Sequence, residues 1–92
     1  MRQLSFEHYH TFDAVINIKN KSFIKNFGEN LRRIRKEREI SQESLSYEAD
    51  IPLSQIGRIE RGEINTTIST VFVLAKALEV EPKDLLDFKF KR

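Results

Sequence analysis

The stretch QESLSYEADIPLSQIGRIER, residues 42–61, decides how this chain is read. Leu45 and Ala49 lie one helical turn apart, and Ser41, three residues before Ser44, stands where an N-cap belongs. Glu43 adds the negative charge that a first helical turn favours. Asp50 and Ile51 interrupt the pattern, and Pro52, which lacks a backbone N–H, cannot continue the helix from Ala49. Pro52 does suit the start of a second helix, which runs through Ile56 and Ile59 and stops near Gly62. Leu45, Ala49, Ile51, Ile56 and Ile59 supply apolar surface, and Ser46 is small. Two helices crossing steeply around a tight turn need that combination.

Working outward, the preceding segment is also helical. Phe23, Phe27, Leu31 and Ile34 recur at four- and three-residue spacing behind a cap assigned to Ser22, and the pattern fades by Glu39. Gly28 inside it is a local cost of about 1 kcal/mol relative to alanine. Downstream, Asn65, Thr66 and Thr67 form a polar break, and Thr67 caps a helix whose buried stripe is Val71, Leu74, Ala75 and Leu78. Val80 follows a short turn, and Pro82 opens a last helix carrying Leu85 and Leu86. The expected fold is all-α, with about five short helices over residues 22–92. Residues 1–21 differ. Leu4, Phe6, Phe12, Ala14, Ile16 and Ile18 occupy even positions among polar odd ones, the period of a half-buried strand. They are expected to form an extended arm outside the helical domain.

With 92 residues, 39% hydrophobic and 33% charged, the chain suffices for one domain with a thin core. It has no cysteine, which removes disulfides, thiolate metal sites and thiol nucleophiles. No run reaches the roughly 20 apolar residues of a membrane span, and the first residues lack signal-peptide character. A cytoplasmic protein is expected. His8 and His10 are two ligands at most, with no acidic or thiol cluster to complete a zinc site. Ser, His and Asp are present without a nucleophile elbow, and the three glycines are scattered rather than gathered in a phosphate loop. Neither an enzyme nor a metal or other cofactor is expected.

The net charge of +2 conceals an asymmetry. Residues 22–40 carry Lys25, Arg32, Arg33, Arg35, Lys36 and Arg38 against Glu29, Glu37 and Glu39. Residues 41–67 carry only Arg58 and Arg61 against Glu43, Glu48, Asp50, Glu60 and Glu63. A polyanion is attracted to the first segment, whereas in the second each contact must be placed individually.

The runs LRRIRKEREISQESL, IPLSQIGRIERGE and VLAKALEVEPKDLL, with ISQ opening the second helix and IERG closing the third, resemble the Xre family. This is the helix-turn-helix family of the phage lambda repressor and Cro. The resemblance spans Leu31 to Leu86. It departs from the family at Glu39, Asp50 and Glu79, where many members have glycine. A left-handed backbone costs a non-glycine residue about 1–2 kcal/mol, least for Asp or Asn. Either those turns avoid positive φ or they carry that cost.

The resemblance implies a sequence-specific regulator of transcription that binds double-stranded DNA, a repressor or a controller of neighbouring genes. The second motif helix would present Leu53, Ser54, Gln55 and Arg58 to base edges. Gln42, Arg61, Asn65 and Thr66 would meet the phosphate backbone, and Arg33 and Lys36 would add to the positive field. Arg35 and Glu60 would form an internal ion pair. One such domain reads few base pairs, so a homodimer on a two-fold site is expected. Surplus apolar side chains at Phe72 and Val73 on the fourth helix, and at Leu86, Phe88 and Phe90 toward a C-terminal tail too short to cover its own phenylalanines, mark the expected main dimer surface, to which the arm of residues 1–21 is expected to add. The apolar arm supports an alternative, an antitoxin-type protein-interaction module that also binds its own promoter.

Overall fold

A computed structural model describes residues 19–90. They form α1 (Lys21–Glu37), α2 (Gln42–Ala49), α3 (Leu53–Glu60), α4 (Ile68–Leu78) and α5 (Pro82–Leu85), with no strand among the described residues. The expected strand-like arm and its partner surface fall on residues 1–21, of which 1–18 lie outside the described residues. Lys19 and Asn20 are exposed, and Lys21 already belongs to α1.

The cap of α1 is Asn20 rather than Ser22. The Asn20 Oδ1 accepts from the Phe23 backbone N–H at 2.9 Å and from the Ser22 hydroxyl at 3.0 Å. Asparagine is at least as good a cap as serine, and Ser22, two residues on within the first turn, donates to it. The caps at Ser41 and Thr67 form as expected, accepting from Ser44 N–H and Thr70 N–H. Pro82 opens α5, while Pro52 stands one residue outside α3.

Four helix ends close in one way. Glu39, Asp50, Gly62 and Glu79 all have left-handed backbones, with φ of 59°, 56°, 74° and 59°. The residue after each sends its N–H back by one helical turn and a half: Ile40 to Arg35, Ile51 to Ser46, Glu63 to Arg58 and Val80 to Ala75, at 2.9–3.1 Å. This pattern satisfies carbonyls that the helix itself leaves open, and it normally places an apolar residue at the returning position. Ile40, Ile51 and Val80 obey, each packing on the core. Glu63 does not. The three non-glycine turns therefore adopt positive φ and carry its cost, and one backbone hydrogen bond plus one apolar contact offsets it at each.

Leu31, Leu45, Ile56, Ile59, Leu74, Leu78 and Leu85 form the fully buried centre, drawing on every helix. At roughly 1.5–3 kcal/mol each, these side chains dominate the stability of so small a domain. Gly28 marks where α1 crosses α3: a Cβ there would lie 2.3 Å from the Ile59 carbonyl oxygen and 2.7 Å from that of Glu60. The glycine that looked like a helix defect is the contact point of two backbones. Two polar side chains also seal helix ends across the fold. Buried Asn30 donates to the Asp84 and Leu85 carbonyls, and Arg38 donates to those of Leu78 and Glu79.

Candidate nucleic-acid interface

Helix α3 is fixed from below and open above. Ile56, Gly57, Ile59 and Glu60 are buried, whereas Leu53, Ser54 and Arg58 are exposed and Gln55 is half-buried. The proline before it fixes the approach of the chain, and Ser46 Oγ donates to the Ile51 carbonyl at 2.5 Å across the turn from α2. The α2–turn–α3 unit is thereby held as a rigid pair that presents the first turn of α3 outward.

The inward anchor is ionic. Arg35 of α1 grips Glu60 with two parallel bonds, Nε to Oε2 at 2.6 Å and Nη2 to Oε1 at 3.0 Å, and Nη1 donates to the Ile40 carbonyl at 2.9 Å. Both side chains are within a tenth of full burial. The fork geometry of guanidinium on carboxylate is the strong form of this contact. It confirms the expected internal pair. Gln42, expected at a phosphate, turns its amide inward and donates to Glu60 Oε1 at 2.9 Å. A carboxylate has several acceptor sites, and one left by Arg35 draws in the nearest donor. The pair is thus a three-residue tie between α1, α2 and α3.

A second charged cluster lies outside. Glu63 Oε2 accepts from Arg61 Nε at 2.7 Å, and Glu63 Oε1 stands 3.5 Å from Arg58 Nε. All three side chains are about half exposed. The Arg61 hydrogen bond, assisted by the charges of Arg61 and Arg58, holds the Glu63 carboxyl below its ordinary range; the same hydrogen bond and charge raise Arg61. Sequence reading missed Glu63. The available signal was a carboxylate at the returning position after Gly62, where the other helix ends carry Ile or Val.

The remaining expected residues separate. Lys36 is exposed on α1, while Arg33 lies on the α5 side of that helix, bonded to Glu37 and Asn30 and near Phe88 and Lys89. Asn65 is exposed in the loop after α3. Thr66 is half-buried, and its hydroxyl oxygen is buried without a hydrogen-bond partner, turned into the protein rather than toward solvent. Phe88 and Phe90 are not bare. Their rings pack on Phe23 of α1 at centroid distances of 5.1 and 5.0 Å, and both are half-buried. The tail covers its phenylalanines by folding back on the first turn of α1, a contact between chain ends that local periodicity does not reveal. Phe72 and Leu86 do stay exposed, at 57% and 47%, and Ile68 at 88% joins them; Val73 is half-buried beside Glu48 and Lys76. Among the described residues no group of His, Cys, Asp or Glu is placed to hold a metal, and no helix is long and apolar enough to cross a membrane.

Comparison with known proteins agrees with this geometry. Residues 31–85 match the model of the HTH_3 helix-turn-helix family. The chain is 44% identical over 63 residues to control protein C.BamHI of Bacillus amyloliquefaciens, an alignment spanning 67% of this chain and 78% of that protein. It is 41% identical over 58 residues to control protein C.SmaI of Serratia marcescens, spanning 63% and 69% of the two. The crystal structure of the restriction-modification controller protein C.AhdI from Aeromonas hydrophila superposes with a TM-score of 0.68 at 34% identity, covering 70% of this chain and 97% of that one. This chain belongs to the HTH_3 family of lambda-repressor-type helix-turn-helix proteins, and it is a DNA-binding transcriptional regulator.

Proposed function

We propose that the protein is a cytoplasmic, homodimeric controller that binds a two-fold symmetric double-stranded DNA site and sets transcription of neighbouring restriction–modification genes. The observation that carries the DNA reading is the outward turn of α3: Leu53, Ser54 and Arg58 are exposed on a helix whose opposite face is locked into the core. Arg58 is suited to guanine as a bidentate donor, Gln55 to adenine or a phosphate, and Leu53 to a thymine methyl. Arg61, Asn65 and the N-terminal turn of α2 at Gln42 flank that row and would meet phosphates. Thr66 joins them only if its hydroxyl turns outward. Lys36 adds to the attracting field, and Arg33, tied to Glu37, contributes to it from farther off.

The proposed dimer rests on exposed Phe72 and Leu86, with exposed Ile68 one turn before Phe72 on α4. Apolar side chains this large are seldom left to water on so small a surface. The restriction–modification setting rests on likeness to the control proteins named above. Selection from a random duplex library with purified protein tests the whole reading. An inverted repeat with half-sites about one helical turn apart is expected. A pool that shows no enriched repeat contradicts it.

A further inference from the structure

Glu63 is the one returning residue among the four left-handed helix ends that does not pack on the core. Its backbone is nonetheless held like the others, N–H to the Arg58 carbonyl at 2.9 Å, so its carboxylate is delivered to the end of α3 by a rigid turn. Gly62 permits that turn at φ 74°, with its α-carbon pressed so close to Lys25 that a Cβ would lie 2.7 Å from the Lys25 Cα. The carboxylate arrives between the two guanidinium groups on which the proposed DNA reading depends, 2.7 Å from Arg61 Nε and 3.5 Å from Arg58 Nε. A carboxylate and a phosphate offer a guanidinium the same paired acceptor oxygens.

We infer that Glu63 is an internal stand-in for a DNA phosphate, occupying Arg61 and Arg58 in the free protein so that DNA must displace it to engage them. The inference rests on the proposed reading of α3. Duplex binding is then an exchange of acceptors rather than a simple gain of contacts. Its effect falls on every duplex, because Arg61, held closer than Arg58, is the phosphate-seeking charge of the two. Glu63 thereby weakens indiscriminate binding, and the selected site overcomes it through the additional base contacts. Acidification acts in the same direction as removing it. With Arg61 and Arg58 beside it and Lys19, Lys21 and Lys25 lining the same cleft, the carboxyl titrates below its ordinary range, chiefly through the Arg61 hydrogen bond, so the pairing persists above that range and is lost as pH falls through the lowered value.

The test is a double-mutant cycle read as duplex affinity, using the selected site and a scrambled duplex of equal length. Glu63→Gln in the wild-type background should tighten binding to both by about two- to five-fold, the scale of an exposed ion pair. In the Arg61→Ala background the same substitution should have less than half that effect on a logarithmic scale. Equal gains in both backgrounds would make Glu63 an ordinary repelling surface charge and overturn the inference. So would a gain confined to the selected site. The reading of α3 fails differently, by absence of any preference for the selected duplex over the scrambled one in the wild type.

Discussion

Two carboxylates three residues apart, Glu60 in the last turn of α3 and Glu63 just beyond it, sit in opposite surroundings. Glu60 is buried, gripped by Arg35 and approached by Gln42; Glu63 is half exposed and leans on Arg61 and Arg58. Each makes a hydrogen bond of about the same length to its arginine, 2.6 Å against 2.7 Å. Distance therefore does not distinguish them. What differs is the alternative each partner would have. Without Glu60, the Arg35 guanidinium stays among apolar side chains with no water to turn to. Without Glu63, Arg61 and Arg58 gain water, salt ions or DNA. The first pair is an architectural constraint. The second is available for exchange.

The same isosteric change at the two sites separates these roles. Glu60→Gln keeps the shape but leaves a buried guanidinium uncompensated, and a loss of about 3 kcal/mol is expected in urea unfolding, enough to threaten so small a domain. Glu63→Gln should leave the urea midpoint where it was. If both variants unfold at the wild-type midpoint, the buried tie does not hold the helices together and the comparison collapses. A smaller effect, on binding alone, is expected at Arg58, the arginine proposed to read a base. Arg58→Ala should leave folding intact, weaken the selected site by about 1–3 kcal/mol and relax preference at a single base pair. Titration against duplexes substituted one position at a time measures this. Uniform weakening across all positions would reassign Arg58 to the phosphate backbone.

How much of this was legible in the sequence varies with how local the cause is. The periodicity around Leu45, Ala49, Ile56 and Ile59, with Ser41, Pro52 and Thr67 as punctuation, marks the motif because caps and apolar stripes act within one or two turns. The Arg35–Glu60 pair came from family resemblance, since spacing alone does not bring α1 to the end of α3. Features that depend on what lies across the fold were misread or missed. Gly28 looks like a weak point until α3 is laid against it. Asn30 and Arg38 look like surface residues until the carbonyl ends of α5 and α4 arrive beside them. Phe88 and Phe90 look unprotected until Phe23 meets them. At Glu39 and Glu79 the absence of glycine left two geometries open, and the backbone hydrogen bonds of Ile40 and Val80 select the left-handed one. On the proposed reading face, the resemblance supplied Arg58 and Leu53, and the structure leaves both exposed. Gln42 is not left so, because its amide is claimed by a carboxylate on another helix.

Whether the outward turn of α3 meets DNA is tested most directly by a chemical-shift map of backbone amides with the selected duplex. The largest changes on saturation are expected from Leu53 to Arg58 and at Arg61 and Glu63, with Phe72 and Leu86 little affected. Large changes around Phe72 and Leu86 with α3 unmoved would contradict such a contact and place the DNA on the face assigned to the dimer.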